Sequence, residues 1–232
     1  MGKLGYKNIL IDFDDTIVDF YDAEEWAFHY YMANVFNHKA TKDDFLTFKK
    51  INHQHWEAFQ QNKLTKSEVL SERFVNYFKH HQMEVDGHRA DVLFRNGLAE
   101  AKVKYFDQTL ETIVELSKRH DLYIVTNGVT ETQKRRLNQT PLHKYIKKIF
   151  ISEETGYQKP NPEFFNYVFN DIGEDERQHS IIVGDSLTSD ILGGINAGIA
   201  TCWFNFRGFD HNPGIIPDYE INSWKQLNDI VR

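Results

Sequence analysis

Cysteine is almost absent: Cys202 stands alone among 232 residues. That excludes an intrachain disulfide and any cysteine-built zinc or iron–sulfur centre within one chain. It agrees with a reducing, cytoplasmic setting, where the chain is expected to act. Long apolar runs are lacking as well, since none approaches the roughly 20 residues needed to span a bilayer. The opening Met1-Gly2-Lys3-Leu4-Gly5-Tyr6 has no signal-peptide core, and Tyr6 sits where a myristoylation signal on Gly2 requires Ser or Thr. No membrane partner is expected. Positive charge is in deficit too: a formal net charge of −7 argues against a broad surface for a nucleic-acid polymer, which needs clustered Lys and Arg. A small anionic ligand stays compatible with an acidic chain, provided its pocket is locally positive.

What is present suits a globular chain. Hydrophobic residues make up 41% and charged residues 26%, enough at this length to bury roughly 70% of the unfolded surface without staples. The 18 Phe and 11 Tyr are expected mostly in that core. There is no repeat, low-complexity tract or long linker. Residues 7–13 read as a short buried strand ending in acids. From about Tyr21 to Ala101 apolar residues recur at three- and four-residue intervals, as in Phe45, Phe48, His55, Trp56 and Phe59. This predicts four helices over 22–36, 42–60, 66–82 and 87–101, with Thr41 and Thr65 as N-caps and breaks at Asn62, Asp86 and Gly87. Beyond residue 105 helices (108–119, 130–138, 162–172, 189–197, 223–231) alternate with strands (122–126, 148–152, 180–184, 199–204, 218–221). Continuous β-branched strands between helices predict a parallel sheet covered on both faces. The fold class is therefore α/β, a Rossmann-like doubly wound core (1–17 and 104–232) with an inserted α-helical bundle (18–103).

Open α/β sheets bind ligands at the carboxyl ends of their strands. Those ends carry Asp12 and Asp14, then Thr126-Asn127-Gly128, then Asp185, while Lys159 stands in a loop before a helix. If Asp12, Asp14, Asp185 and Asp190 converge, each pair of unit charges about 4 Å apart repels by about 4 kcal/mol at an effective dielectric near 20. A divalent cation and a lysine are the natural counterweights, and hard oxygen ligands suit Mg²⁺ better than a softer zinc site. The plainer reading, strand-end acids acting as helix N-caps, accounts for one or two of them but not for the set. A carboxylate with a reference pKa of about 3.9 is ionised at neutral pH and can attack phosphorus without a base.

Four segments then fall in register: Asp12-Phe13-Asp14-Asp15-Thr16, Thr126 closing Leu-Tyr-Ile-Val-Thr, Lys159 in Gly-Tyr-Gln-Lys-Pro-Asn-Pro, and Gly184-Asp185-Ser186-Leu187-Thr188-Ser189-Asp190. Almost end to end, the chain resembles the haloacid dehalogenase superfamily, with its DxDxT and GDxxxxD motifs and a helical cap at the first insertion point. Within it, Asp14-Asp15-Thr16, where many relatives have Asp-Gly-Thr, resembles the YjjG-type pyrimidine 5′-nucleotidase branch and the related acylneuraminate phosphatases. Tyr105-Phe106-Asp107-Gln108 departs from the Pro-Gly of the second hinge. The resemblance implies a Mg²⁺-dependent phosphomonoesterase. Asp12 would be the nucleophile that forms an aspartyl-phosphate, and Asp14 the acid and base. Mg²⁺ would sit on the Asp12 carboxylate, the Asp14 carbonyl and Asp185, with Asp190 and Ser186 behind them. Thr126 and the Asn127 N–H would hold phosphate oxygens, and Lys159 would offset charge. The cap would close over the rim and select the leaving group. Asp14 further separates the chain from the dehalogenase branch, which has no acid there.

The expected partner is a small-molecule phosphomonoester, in first place a nucleoside 5′-monophosphate; the alternative is a sugar phosphate, acylneuraminate phosphate or phosphoglycolate. A non-enzymatic phospho-acceptor or binding module is the other class. Receiver-like acceptors, however, carry the phosphorylated Asp on their third strand and have no such insertion. Other features invite blander readings. Gly193, Gly194 and Gly198 match no phosphate-cradling loop and are expected to allow close helix–sheet packing. His53, His55, His80 and His81 have no accompanying ligand set. Trp26, Trp56 and Phe59 are expected to be bundle core. Asn205, Arg207 and Asp19 are candidate supporting groups near the rim.

Overall fold

The computed structural model of the chain describes residues 5–36 and 39–232; the reading at Gly2 lies outside them. The chain forms two compact units, one made of the chain up to Phe20 together with Val103–Arg232, the other of Tyr21–Lys102. In the first, strands β1 (Asn8–Ile11), β2 (Asp121–Thr126), β3 (Lys148–Ile151), β4 (Ser180–Gly184), β5 (Ala200–Phe204) and β6 (Tyr219–Ile221) make one sheet, ordered β3-β2-β1-β4-β5-β6. Every neighbouring pair is parallel. Successive side chains in a strand point to opposite faces, and here both faces are apolar. Ile9 and Ile11 pack with Ile113, Leu116, Trp224 and Leu227, while Leu10 between them packs with Phe164, Phe165 and Val168.

The second unit holds most of α1 (Phe20–Phe36) and all of α2 (Lys42–Gln60), α3 (Lys66–His80) and α4 (Gly87–Glu100). Capping boxes start α2 and α3: the Thr41 and Thr65 side chains accept from the N–H of Asp44 and Glu68, whose carboxylates return to the cap N–H groups. Phe28, Phe45, Phe48, Phe74, Tyr77 and Phe94 fill the centre. Among them Arg73 is buried, donating to Asn52 (2.8 Å) and Asp91 (2.6 Å).

Back in the sheet unit run α5 (Thr109–Leu116), α6 (Thr130–Leu137), α7 (Ser152–Thr155), α8 (Pro162–Ile172), α9 (Leu192–Ala197) and α10 (Leu227–Ile230). Two predicted helices differ from this. The one expected over 189–197 begins as a wider π turn, Leu187–Ile191, before α9. That over 223–231 is a 3₁₀ turn, Trp224–Gln226, followed by one turn of α10, and the Trp224 indole donates to the Thr16 carbonyl at 2.9 Å. The two segments linking the units run antiparallel, with Val18 opposite Tyr105 and the Asp19 N–H donating to Lys104 at 2.8 Å.

Glycines allow α9 to approach both the sheet and α8. A Cβ on Gly194 would lie 2.6 Å from Ile182 Cγ2 and Thr201 Cγ2, and one on Gly193 would lie 2.7 Å from the Phe165 ring. Gly198 does not share this role; it ends α9 in the left-handed region at φ 69° with open space around it. Gly194→Ala should therefore overpack the α9–sheet contact and cost about 1–3 kcal/mol, seen as a lower urea midpoint with an unchanged slope.

Candidate active site

The strand order reverses at β1, which has β2 on one side and β4 on the other. Register pairs Ile11 with both Ile124 and Val183, and the Asp12 N–H continues the ladder to the Val183 carbonyl at 2.9 Å. Asp12, Thr126 and Asp185 thus leave adjacent strands at one carboxyl edge, where open α/β sheets form their ligand crevice.

Lys159 reaches this edge from the loop between α7 and α8. Its buried ammonium donates to Asp12 Oδ1 (2.7 Å), Asp190 Oδ1 (2.7 Å) and the Val125 carbonyl (2.8 Å), using all three hydrogens. The Asn127 side chain fixes its backbone, accepting from the Lys159 N–H and donating to the Lys159 carbonyl, both at 2.9 Å. The sequence offered only the Asn127 N–H as a binding group; its amide side chain carries this second duty.

Asp185 is set by Thr16, whose hydroxyl donates to Asp185 Oδ1 (3.3 Å) and accepts from its N–H (3.0 Å), and by the Trp203 indole on its carbonyl (2.8 Å). Asp190 folds back so that Oδ2 accepts from the Ser186 N–H at 3.1 Å, while Ser186 Oγ accepts from the Ser189 N–H at 3.2 Å. A Cβ on Gly184 would collide with that returning carboxylate, which is why this motif needs glycine before Asp185. Asp12, Asp185 and Asp190 each offer an oxygen within 4.8 Å of the others.

Burial pushes the Asp12 carboxyl up to about 7, against the pull of Lys159 and with the charges of Asp190 and Asp14 adding to the rise. Burial likewise holds Asp185 well above the carboxylate range, reinforced by Asp15, Asp12 and Asp190. Burial alone would lower Lys159, but Asp12 and Asp190 outweigh it and keep the ammonium above its ordinary value. The lysine is firmly cationic, yet one cation faces three acids. Burial therefore disfavours the ionised Asp12 expected from the sequence, and Lys159 offsets this only in part; further positive charge would complete the compensation. Three hard oxygens this close fit a divalent cation that would supply it.

Asp14 turns away from this cluster. Its Oδ2 accepts from Gln133 Nε2 at 2.8 Å and its Oδ1 pairs with Arg136, and Gln133 also donates to Thr126 Oγ1 at 2.9 Å. Gln133 and Arg136 are buried on α6, and the sequence reading missed both. The only trace was their three-residue spacing on one face of a helix leaving the β2 rim, in a segment that otherwise reads as polar surface. Asp15 takes left-handed backbone (φ 57°), which Asp tolerates better than most residues. Its Oδ1 accepts from the Phe20 N–H and from Arg207, both at 3.1 Å. The Asn205 amide instead serves the Phe209 carbonyl (3.0 Å) and Glu220 (2.8 Å). His55 is a satisfied helix residue, between the Ile51 carbonyl (2.7 Å) and Asn76 (2.9 Å). Trp26, expected in the bundle core, is exposed and stacks on Tyr30 at 5.0 Å.

Residues 9–204 match the family described as haloacid dehalogenase-like hydrolase. The HAD-hydrolase YfnB of Bacillus subtilis (strain 168) is 42% identical over 97% of this chain and 95% of its own. A crystal structure of that protein, bound to magnesium and described as revealing interdomain movement, superimposes with a TM-score of 0.93, covering 98% of this chain and 99% of that one. The pyrimidine 5′-nucleotidase PynA of Streptococcus pneumoniae (strain ATCC BAA-255 / R6) is 33% identical over 97% of this chain and 95% of its own. The pyrimidine 5′-nucleotidase YjjG of Escherichia coli (strain K12) is 30% identical over 91% and 96%. No described helix is long and apolar enough to cross a membrane.

Removing the buried ammonium strands two acids. Lys159→Met should cost about 3–5 kcal/mol near neutral pH. The Asp12 carboxyl, already raised by burial, then binds its proton more tightly in the folded than in the unfolded chain, so stability is lost as pH rises and recovers on acidification. The deficit against the parent protein should shrink toward about pH 5, a comparison that chemical denaturation at two pH values makes directly.

Proposed function

The chain belongs to the haloacid dehalogenase-like hydrolase family, and on that premise we propose that it is a magnesium-dependent phosphomonoesterase acting on nucleoside 5′-monophosphates. One observation carries the hydrolytic part: a rim carboxylate, Asp12, paired at 2.7 Å with a buried lysine and crowded by two further acids. The substrate class is supported by PynA and YjjG, pyrimidine 5′-nucleotidases that match this chain over nearly its whole length.

In this mechanism an Asp12 oxygen attacks phosphorus, the phosphorus–ester oxygen bond breaks, and the leaving oxygen takes a proton from Asp14. Water then attacks the aspartyl-phosphate, passes a proton to Asp14, and frees Asp12 and inorganic phosphate. Lys159 holds positive charge against Asp12 and the transferring group, while the Thr126 hydroxyl and the Asn127 N–H bind phosphate oxygens. Asp12, Asp185 and the Asp14 carbonyl would hold Mg²⁺, with Asp190 and Ser186 keeping those groups in place. Bound there, the cation supplies the charge that keeps the carboxylates ionised and neutralises phosphate oxygens.

Phosphate release is expected to need Mg²⁺, to stop with EDTA, and to fall by about 10³-fold or more in Asp12→Asn, which deletes the nucleophile. Turnover that survives this change would remove Asp12 from the role. In a panel of phosphomonoesters, pyrimidine monophosphates should rank among the best substrates; sugar phosphates ranking first would reject the nucleotide assignment and leave the phosphatase standing. Protons compete with metal for carboxylates. With Asp12 near 7 in the metal-free protein, Mg²⁺ should raise the melting temperature more at about pH 7.5 than at about pH 5.

A further inference from the structure

We propose that Gln133 and Arg136 form a positioning clamp that orients both the Asp14 carboxylate and the Thr126 hydroxyl from a single helix; the proposal rests on the hydrolytic role given to Asp14 above. Its logic is one of donors and acceptors. Arg136 Nη1 donates to Asp14 Oδ1 and to Gln133 Oε1, the latter at 3.2 Å. A guanidinium only donates, so the Gln133 carbonyl must face it, and the amide NH₂ must face the rim. Its two hydrogens then go to Asp14 Oδ2 (2.8 Å) and Thr126 Oγ1 (2.9 Å).

Both ends of the clamp gain a defined polarity. Thr126 Oγ1 also accepts from the Gly128 N–H at 3.1 Å. With both lone pairs engaged, its one hydrogen is directed out of the clamp as a donor, as a phosphate oxygen requires. Each Asp14 oxygen takes one donor, which fixes the carboxylate plane and leaves a lone pair on each for the proton in transfer.

The surroundings favour rigidity. Arg136 lies over the Phe13 and Phe20 rings, 5.1 Å from each centroid. A Cβ on Gly128 would collide with the Gln133 side chain, so the turn must carry glycine there to admit the amide. Arg136 Nε is buried without a partner.

The test exploits leaving-group chemistry in the full chain with Mg²⁺. p-Nitrophenolate departs without a proton, so the first turnover of p-nitrophenyl phosphate does not need Asp14. Expulsion of an alkoxide does, and so does the water step that regenerates Asp12. At saturating substrate, Gln133→Met also frees the Thr126 hydroxyl, so the first turnover of p-nitrophenyl phosphate should slow, but by less than the later water step that needs Asp14. The variant should then show a burst equal to the enzyme concentration and a steady rate about 10- to 100-fold lower, and turnover of an unactivated alkyl phosphate should fall by about the same factor without a burst. Equal losses on both esters with no burst, in a variant whose melting temperature has dropped, would reduce the pair to a structural contact and overturn the clamp. Arg136→Lys keeps the charge but loses the planar guanidinium whose Nη1 meets both Asp14 and Gln133, and must give the same split, so a folding defect in one variant leaves the other to decide. A parent protein that releases phosphate from neither ester would instead refute the hydrolytic role itself.

Discussion

The buried ammonium of Lys159 is the interaction on which the rest of the rim depends. Taken out of water alone, such a charge would cost many kcal/mol, and even a paired one breaks even only when its geometry is good and its remaining hydrogens are satisfied. Here all three hydrogens have acceptors, in Asp12, Asp190 and the Val125 carbonyl. The neighbouring features hold those acceptors still. Asn127 grips the lysine backbone at both its N–H and its carbonyl, the Ser186 N–H steadies Asp190, and Gly184 leaves the space into which Asp190 folds back.

The same burial that demands this geometry leaves the site short of positive charge. Asp12 and Asp185 are pushed toward their protonated forms by desolvation and by one another, and Lys159 is too fully engaged to answer both. A rim built this way is short of positive charge, and its acids would ionise fully only when more is added. Hard-oxygen clusters of this kind couple metal binding to proton release.

Asp14 belongs to a second, separate network. Although only two residues from Asp12, it turns to α6 and shares Gln133 and Arg136 with Thr126. Two carboxylates so close in sequence thereby acquire different neighbours: one a lysine and two acids, the other a guanidinium and an amide. Environments that differ in this way are how neighbouring acids come to take distinct roles.

Much of this was written locally in the chain. Strand and helix periods, the Thr41 and Thr65 caps, and the order of the acid, threonine, lysine and glycine–aspartate segments are properties of short stretches, so they could be read without coordinates. The partner of each charge could not. Gln133 and Arg136 lie 119 and 122 residues from Asp14, and Lys159 lies 147 from Asp12; sheet register and the reach of α6 brought them together. Nor could sequence reveal that Asp12 loses its ordinary acidity, because desolvation depends on what surrounds a group in space. The residue types and their order came from the chain itself; their pairing, burial and charge state were decided only once the sheet had closed around them.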